Sequence, residues 1–112
     1  MQLVVAVIRP FKLDATKAAL QLVGVTGMSV SEVQGAGRQG GHTEVFRGAE
    51  YQLDFQPKIR IEIVTEANLV EEIIDAICQS ALTGKIGDGK IWVINLETVV
   101  RVRTGERGRE AI

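Results

Sequence analysis

The stretch Thr83-Gly84-Lys85-Ile86-Gly87-Asp88-Gly89-Lys90 has the composition of a polyphosphate cradle. Its glycines leave the backbone free of Cβ atoms, so N–H groups can approach a ligand closely. Lys85 and Lys90 add positive charge beside those donors. Backbone donors with a nearby cation are what phosphate oxygens require. The spacing is not that of a Walker A loop, in which Ser or Thr follows the lysine, because Ile91 follows Lys90. An ordinary glycine turn shares the local pattern, so the other basic residues matter. Arg38 follows Gly37, and Arg101 and Arg103 are spaced so that both project from one face of a strand. A guanidinium fork suits phosphate, and each charge-assisted bond is worth ~1.5–3 kcal/mol. Alternating arginines also suit a solvated strand face. Their recurrence beside glycines in one small, nearly neutral chain favours a nucleotide pocket.

No set of side chains suggests catalysis. His42 is the only histidine and lies in an aperiodic segment, where an ordinary loop residue is expected. Asp88 between glycines suits a metal or a tight turn equally. Cys78 falls on a helical pattern as a core or boundary residue, and Trp92 falls on a strand, where it packs. Tyr51, in Gly48-Ala49-Glu50-Tyr51, lies off any core period. It reads either as an incidental surface residue or as one that a modifying enzyme reaches.

The elements that must position these residues form one domain of 112 residues. With 46% hydrophobic and 24% charged residues, the chain can fill a single core and is too apolar for disorder. No apolar run reaches the ~18 residues of a membrane span. Met1-Gln2-Leu3-Val4 lacks the basic start of a signal peptide. A lone Cys78 excludes an internal disulfide and a cysteine metal cluster. These absences lead to the expectation of a cytoplasmic protein. A net charge of −1 gives no field that attracts nucleic acid, and 4% aromatics give few stacking platforms.

Leu3 to Ile8 is a nearly continuous apolar run, the pattern of a buried strand ended by Arg9-Pro10. Leu13, Thr16, Leu20 and Val23 recur at helical spacing, and Gly24 and Gly27 stop the helix. Met28, Val30 and Val33 predict a second strand to about Gly35. From Gly35 to Pro57 glycine and charge alternate without period. That segment reads as a hairpin pairing Glu44–Phe46 with Tyr51–Phe55, or as a mobile interaction loop; a loop of about twenty residues without a core is usually functional. Ile59 to Val64 alternates as a half-buried strand. Asn68 and Glu71 resemble a capping box, and Val70, Ile73, Ile74, Ile77 and Ala81 form a helical stripe. Ile91 to Leu96 predicts a fourth strand, and Val99 to Arg103 a short fifth one. The order β-α-β-β-α-β is that of an α+β, ferredoxin-like fold. Its helices cover one sheet face, and self-association through the other would shield the apolar residues left there.

Several segments together resemble the P-II nitrogen-signalling proteins over essentially the full chain. They are Arg9-Pro10-Phe11-Lys12-Leu13, Gly27-Met28, Gly37-Arg38-Gln39, Gly41-His42-Thr43-Glu44, Arg47-Gly48-Ala49-Glu50-Tyr51, Thr83 to Lys90 and Arg101 to Arg107. The resemblance implies a homotrimer with a nucleotide cleft between each pair of neighbours, in which ATP and ADP compete. Gly37, Gly87, Asp88, Gly89 and Lys90 would hold the nucleotide from one subunit, Arg101 and Arg103 would reach it from the next, and Arg38 would join them. Ser29 stands where the family usually has threonine near the adenine. With ATP and Mg²⁺ the family also binds 2-oxoglutarate: Gln39 would ligate the metal, Lys58 would pair with a carboxylate, and Gly41 and Gly87 would complete the pocket. A hard cation takes oxygen ligands, and two ligands sharing one metal are coupled reciprocally.

The resemblance also implies a T-loop over about 37–55, a B-loop over about 82–90 and a C-terminal loop over about 101–112. The T-loop would change posture with ligand, reporting carbon excess with ATP and 2-oxoglutarate and low energy with ADP. Its implied targets are an ammonium transporter, glutamine synthetase adenylyltransferase, a nitrogen sensor kinase or N-acetylglutamate kinase. No membrane span is implied, only recruitment to a transporter. Tyr51 aligns with the tyrosine that a nucleotidyltransferase modifies with UMP or AMP; Ala49 removes the serine phosphorylated in some branches. Gly40, Ala36 and Phe46 depart from the common lysine, aromatic and tyrosine, which affects partner choice and loop stiffness. The implied role is a non-enzymatic signal integrator. A weak ATPase lacks an evident general base, and a nucleic-acid-binding module lacks the charge.

Overall fold

The computed structural model describes residues 1–37, 45–46, 50–51 and 54–112, the two short pairs as backbone alone. Strand β1 (Gln2–Ile8) leads through a 3₁₀ turn at Pro10–Lys12 into helix α1 (Leu13–Leu22). Strand β2 (Ser29–Ala36) follows, and the short strands β3 (Val45–Phe46) and β4 (Glu50–Tyr51) pair with each other. Strand β5 (Phe55–Thr65), helix α2 (Val70–Ala81) and strand β6 (Gly89–Asn95) complete the α-helices and strands of the described residues. The main sheet has the order β2-β5-β1-β6, and each neighbouring pair is antiparallel. This is the ferredoxin-like arrangement the element order predicts.

Register decides which face each residue serves. Val4, Ala6 and Ile8 of β1 stand opposite Ile63, Ile61 and Ile59 of β5. All six are buried beneath the helices, with Leu20 of α1 and Val70, Ile73, Ile77 and Ala81 of α2. The helical spacing of those α2 residues is what turns one stripe onto the sheet. A polar clasp joins the helices at that layer: Ser80 donates its hydroxyl to Thr16 Oγ1 at 3.0 Å, and Thr16 is fully buried.

The opposite sheet face carries Leu3, Val5 and Val7 of β1, flanked by Val64, Glu62 and Arg60 of β5 and by Ile94, Trp92 and Lys90 of β6. No helix covers it. The Arg60 guanidinium lies 5.6 Å from the Trp92 ring centroid and bonds Glu62 at 2.9 Å. Val64, Trp92 and Ile94 remain 36%, 38% and 46% exposed, an apolar strip larger than scattered surface residues would leave.

Three local expectations are corrected. Val99 to Arg103 is not a strand. Val100 makes one isolated bridge to Arg107, and the chain folds back through Gly105 N to Arg101 O at 2.8 Å and Arg101 N to Glu106 O at 2.9 Å. Gly105, at φ 72°, supplies the left-handed residue that such a return needs. The Asn68–Glu71 capping box does not form: a 3₁₀ turn at Ala67–Leu69 precedes α2, and no side chain caps it. Strand β5 begins at Phe55, before the alternating run that starts at Ile59, because β2 pairs with it as far as Ala36↔Phe55. The hairpin reading is met in part, since Val45 pairs with Tyr51 and Phe46 with Glu50. The mobility expected over about 37–55 falls largely outside the described residues.

Candidate functional site

The glycine-rich loop is built around one carboxylate. Helix α2 ends where Leu82 turns extended, and the next residues wrap around Asp88. Asp88 Oδ2 accepts the backbone N–H groups of Thr83 at 2.8 Å and Gly84 at 2.9 Å. Its Oδ1 accepts the Thr83 hydroxyl and, at 3.0 Å, Arg9 Nε. The Thr83 hydroxyl oxygen accepts from Lys85 N at 3.2 Å, and Arg9 Nη2 donates to Ile86 O at 2.8 Å. These donors, the Thr83 hydroxyl foremost, then the Thr83 amide, hold the Asp88 carboxyl well below the ordinary aspartate range despite some desolvation. The side chain expected at the ligand is therefore engaged inside the loop, which leaves its backbone N–H as what it can offer outward.

All three loop glycines have a backbone only glycine accepts readily: Gly84 at φ 85°, Gly87 at φ 104° and Gly89 at φ 109°. At Gly89 space is also closed, because a Cβ would lie 1.7 Å from Val7 O. That residue both ends the loop and starts β6 opposite Ile8, so loop and sheet meet there without room for a side chain.

The loop forms one wall of an open cleft of ≈ 700 Å³, lined also by Gly35, Ala36, Gly37, Lys58, Lys90 and Trp92. Lys58 is 6% exposed and donates Nζ to Gly87 O. Its stem runs beside Gly35, where an added Cβ would come within 3.1 Å of Lys58 Cγ. Burial lowers the Lys58 pKa, Arg9 lowers it further, and Asp88 offsets them only in part. A buried cation whose one influential carboxylate is already occupied gains from an incoming anion.

Five of the expected residues thus meet in one cleft: Gly37, Lys58, Gly87, Gly89 and Lys90. Ser29, Arg101 and Arg103 do not. Ser29 stands at the far end of β2, which spans 8 residues, or ~25 Å at the rise of a strand. It lines a separate cleft of ≈ 490 Å³ together with Glu62, Val64 and Ile112. Arg101 belongs to that end: its Nη1 bonds Glu106 Oε1 at 2.8 Å, and its Nη2 donates to Ile112 O at 3.2 Å. Arg103 is exposed in the turn after it. Arg38, Gln39 and Gly41 lie outside the described residues, as does the Tyr51 side chain.

Two residues that organise the site were not picked out by pattern. Arg9 reads in the sequence as the end of β1 and as part of a segment that carries the family resemblance, with no role of its own in the site. Thr83 reads as a loop residue, yet its amide and hydroxyl both bind Asp88. Among the described residues, no group of three or more His, Cys, Asp or Glu could hold a metal.

A sequence model of the family described as nitrogen regulatory protein P-II matches residues 1–106. Among similar proteins, the nitrogen regulatory protein P-II of Azospirillum brasilense is 58% identical over 112 residues, covering 100% of both chains. The protein of that name from Bradyrhizobium diazoefficiens is 57% identical over 112 residues, again 100% of both. Nitrogen regulatory protein P-II 1 of Escherichia coli K12 is 54% identical with the same full coverage.

Proposed function

The chain belongs to the nitrogen regulatory protein P-II family and is a nitrogen-signalling regulator, and on that premise we propose that it senses energy and carbon by binding ATP or ADP in clefts between the subunits of a homotrimer. The observation that carries the proposal is the separation of the site into two halves. One end of the sheet gathers Gly37, Gly87, Gly89, Lys90 and Lys58. The other end carries Ser29, with Arg101 beside Ile112 of the same cleft. One chain cannot close both around one nucleotide. Two neighbours can, if the loop end of one faces the Ser29 end of the next, and the uncovered apolar sheet face gives the association its driving force.

The chemistry follows from the groups. Backbone N–H groups of the glycine loop and the Lys90 ammonium would take phosphate oxygens. Arg101 and Arg103 would add charge from the neighbour, and Arg38 from the same loop base. Mg²⁺, when bound, would supply a hard charge shared between phosphate oxygens and Gln39. The buried Lys58 amine suits a carboxylate of 2-oxoglutarate, and Gly41 and Gly87 would complete that pocket. The segment over about 37–55 connects the cleft lip at Gly37 to Phe55. It would carry occupancy outward to targets such as an ammonium transporter, glutamine synthetase adenylyltransferase, a sensor kinase or N-acetylglutamate kinase, with Tyr51 as the site of nucleotidylylation. In this reading the protein regulates and does not turn over its ligand.

Calorimetry tests the pocket. Lys90→Ala and Arg101→Ala should each weaken ATP binding about ten- to hundredfold, the worth of one charge-assisted bond. Tyr51→Phe should bind as the wild type does. Unchanged affinity in both cleft variants would refute the assignment. In the same cell, 2-oxoglutarate should bind poorly without Mg²⁺ and ATP.

A further inference from the structure

Arg9 is absent from the nucleotide set named above, yet its side chain bonds the loop at two points. Its guanidinium reaches two points two residues apart in the same loop, through Nε to Asp88 Oδ1 at 3.0 Å and through Nη2 to Ile86 O at 2.8 Å. The side chain is 16% exposed, so these bonds are partly screened from water. Lys58 holds the intervening Gly87 carbonyl. Three consecutive residues are thus held by two cations, and the first of those cations also fixes the carboxylate that gathers Thr83 and Gly84.

The peptide plane gives this a direction. In a trans peptide the C=O and the following N–H point opposite ways. With Ile86 O turned to Arg9 and Gly87 O turned to Lys58, the Gly87 N–H turns away from Arg9 and the Asp88 N–H away from Lys58. Two successive outward N–H groups form a concave anion site. A glycine-rich segment without such anchors would spread over many conformations, and ordering it at the moment of binding would subtract from affinity.

We propose that Arg9 is a positioning residue: by gripping Asp88 and the Ile86 carbonyl it sets the posture in which the 83–90 loop presents its amides and Lys90 to phosphate, without itself touching the nucleotide. This rests on the nucleotide reading above and adds a residue that acts through the loop.

Two measurements on the full chain test it. In ligand-free protein, amide hydrogen exchange at Thr83 and Gly84 should quicken in Arg9→Gln and be partly restored in Arg9→Lys, because lysine can meet one of the two partners. Calorimetry with ADP, at a temperature where every variant is folded by circular dichroism, should show about a tenfold loss in Arg9→Gln. Asp88→Asn should show a similar loss, and the double variant should lose less than the product of the two single losses, since the two residues share one contact while Arg9 keeps its bond to Ile86 O in Asp88→Asn. Losses that multiply in the double variant overturn the inference, as does exchange unchanged by Arg9→Gln. Wild-type protein that binds ADP while Arg9→Gln binds it equally overturns the inference alone. Wild-type protein that binds no ADP overturns both the inference and the nucleotide reading.

Discussion

Lys58 shows how one buried side chain turns local electrostatics into a measurable property. Its pKa is lowered chiefly by burial, so the fold favours its neutral form relative to the unfolded chain. Between the lowered value and the ordinary lysine value the unfolded chain binds more protons, and stability must rise with pH across that window. Below the window the penalty is fully present. Chemical denaturation at a series of alkaline pH values should show that rise in the wild type and its loss in Lys58→Met. Gly89 makes a different residue-scale demand. Its φ of 109° alone should cost ~1–3 kcal/mol in Gly89→Ala, and the contact with Val7 O adds to it. Urea unfolding of that variant should show a loss of at least this size. Both residues could be picked out from sequence as members of a resemblance. Neither the burial of Lys58 nor the closure at Gly89 could be, because the first depends on how β5 lies beside Gly35 and beneath the Gly87 carbonyl, and the second on where β1 passes relative to β6.

At the scale of elements, period was a sufficient guide wherever a face is buried. The apolar run of β1, the alternation of β5 and the stripe of α2 each match the structure because the core selects one register. Pattern failed where no core residue arbitrates. Val99 to Arg103 alternates as a strand would, yet Val102 is fully exposed and the segment returns on itself to pair Arg101 with Glu106. Asn68 and Glu71 have the capping spacing, but the 3₁₀ turn places helix entry at Leu69 instead. The layer between α1 and α2 gives a direct check on what carries stability. Ile77, 1% exposed in the core, should cost ~2–5 kcal/mol as Ile77→Ala. Thr16→Val should cost at most ~1 kcal/mol, since Ser80 keeps its bond to Ala76 O at 2.7 Å. Thermal or urea denaturation of the two variants would rank them, and a larger loss in Thr16→Val would make the hydroxyl clasp, not the apolar layer, the principal tie between the helices.

At the scale of the whole molecule, the sheet holds apart the two clefts that the proposed function reads as half-sites. The loop at one end is fixed by Asp88, Arg9 and Lys58; the Ser29 end is closed by the C-terminal hook, where Arg109 pairs with Glu66 and Arg101 with Glu106. The sequence makes the basic clusters visible but not their separation, since distance along the chain says little about distance across a sheet. If neighbouring subunits share each nucleotide, mixing two defective chains must repair some clefts. Lys90→Ala and Arg101→Ala chains, each unable to bind ATP well alone, should be unfolded together, refolded and titrated with ATP. Random assembly of a cyclic oligomer should then regenerate wild-type affinity in about a quarter of the clefts. No recovery of wild-type affinity in the mixture would place Lys90 and Arg101 in one chain's site and contradict the shared cleft.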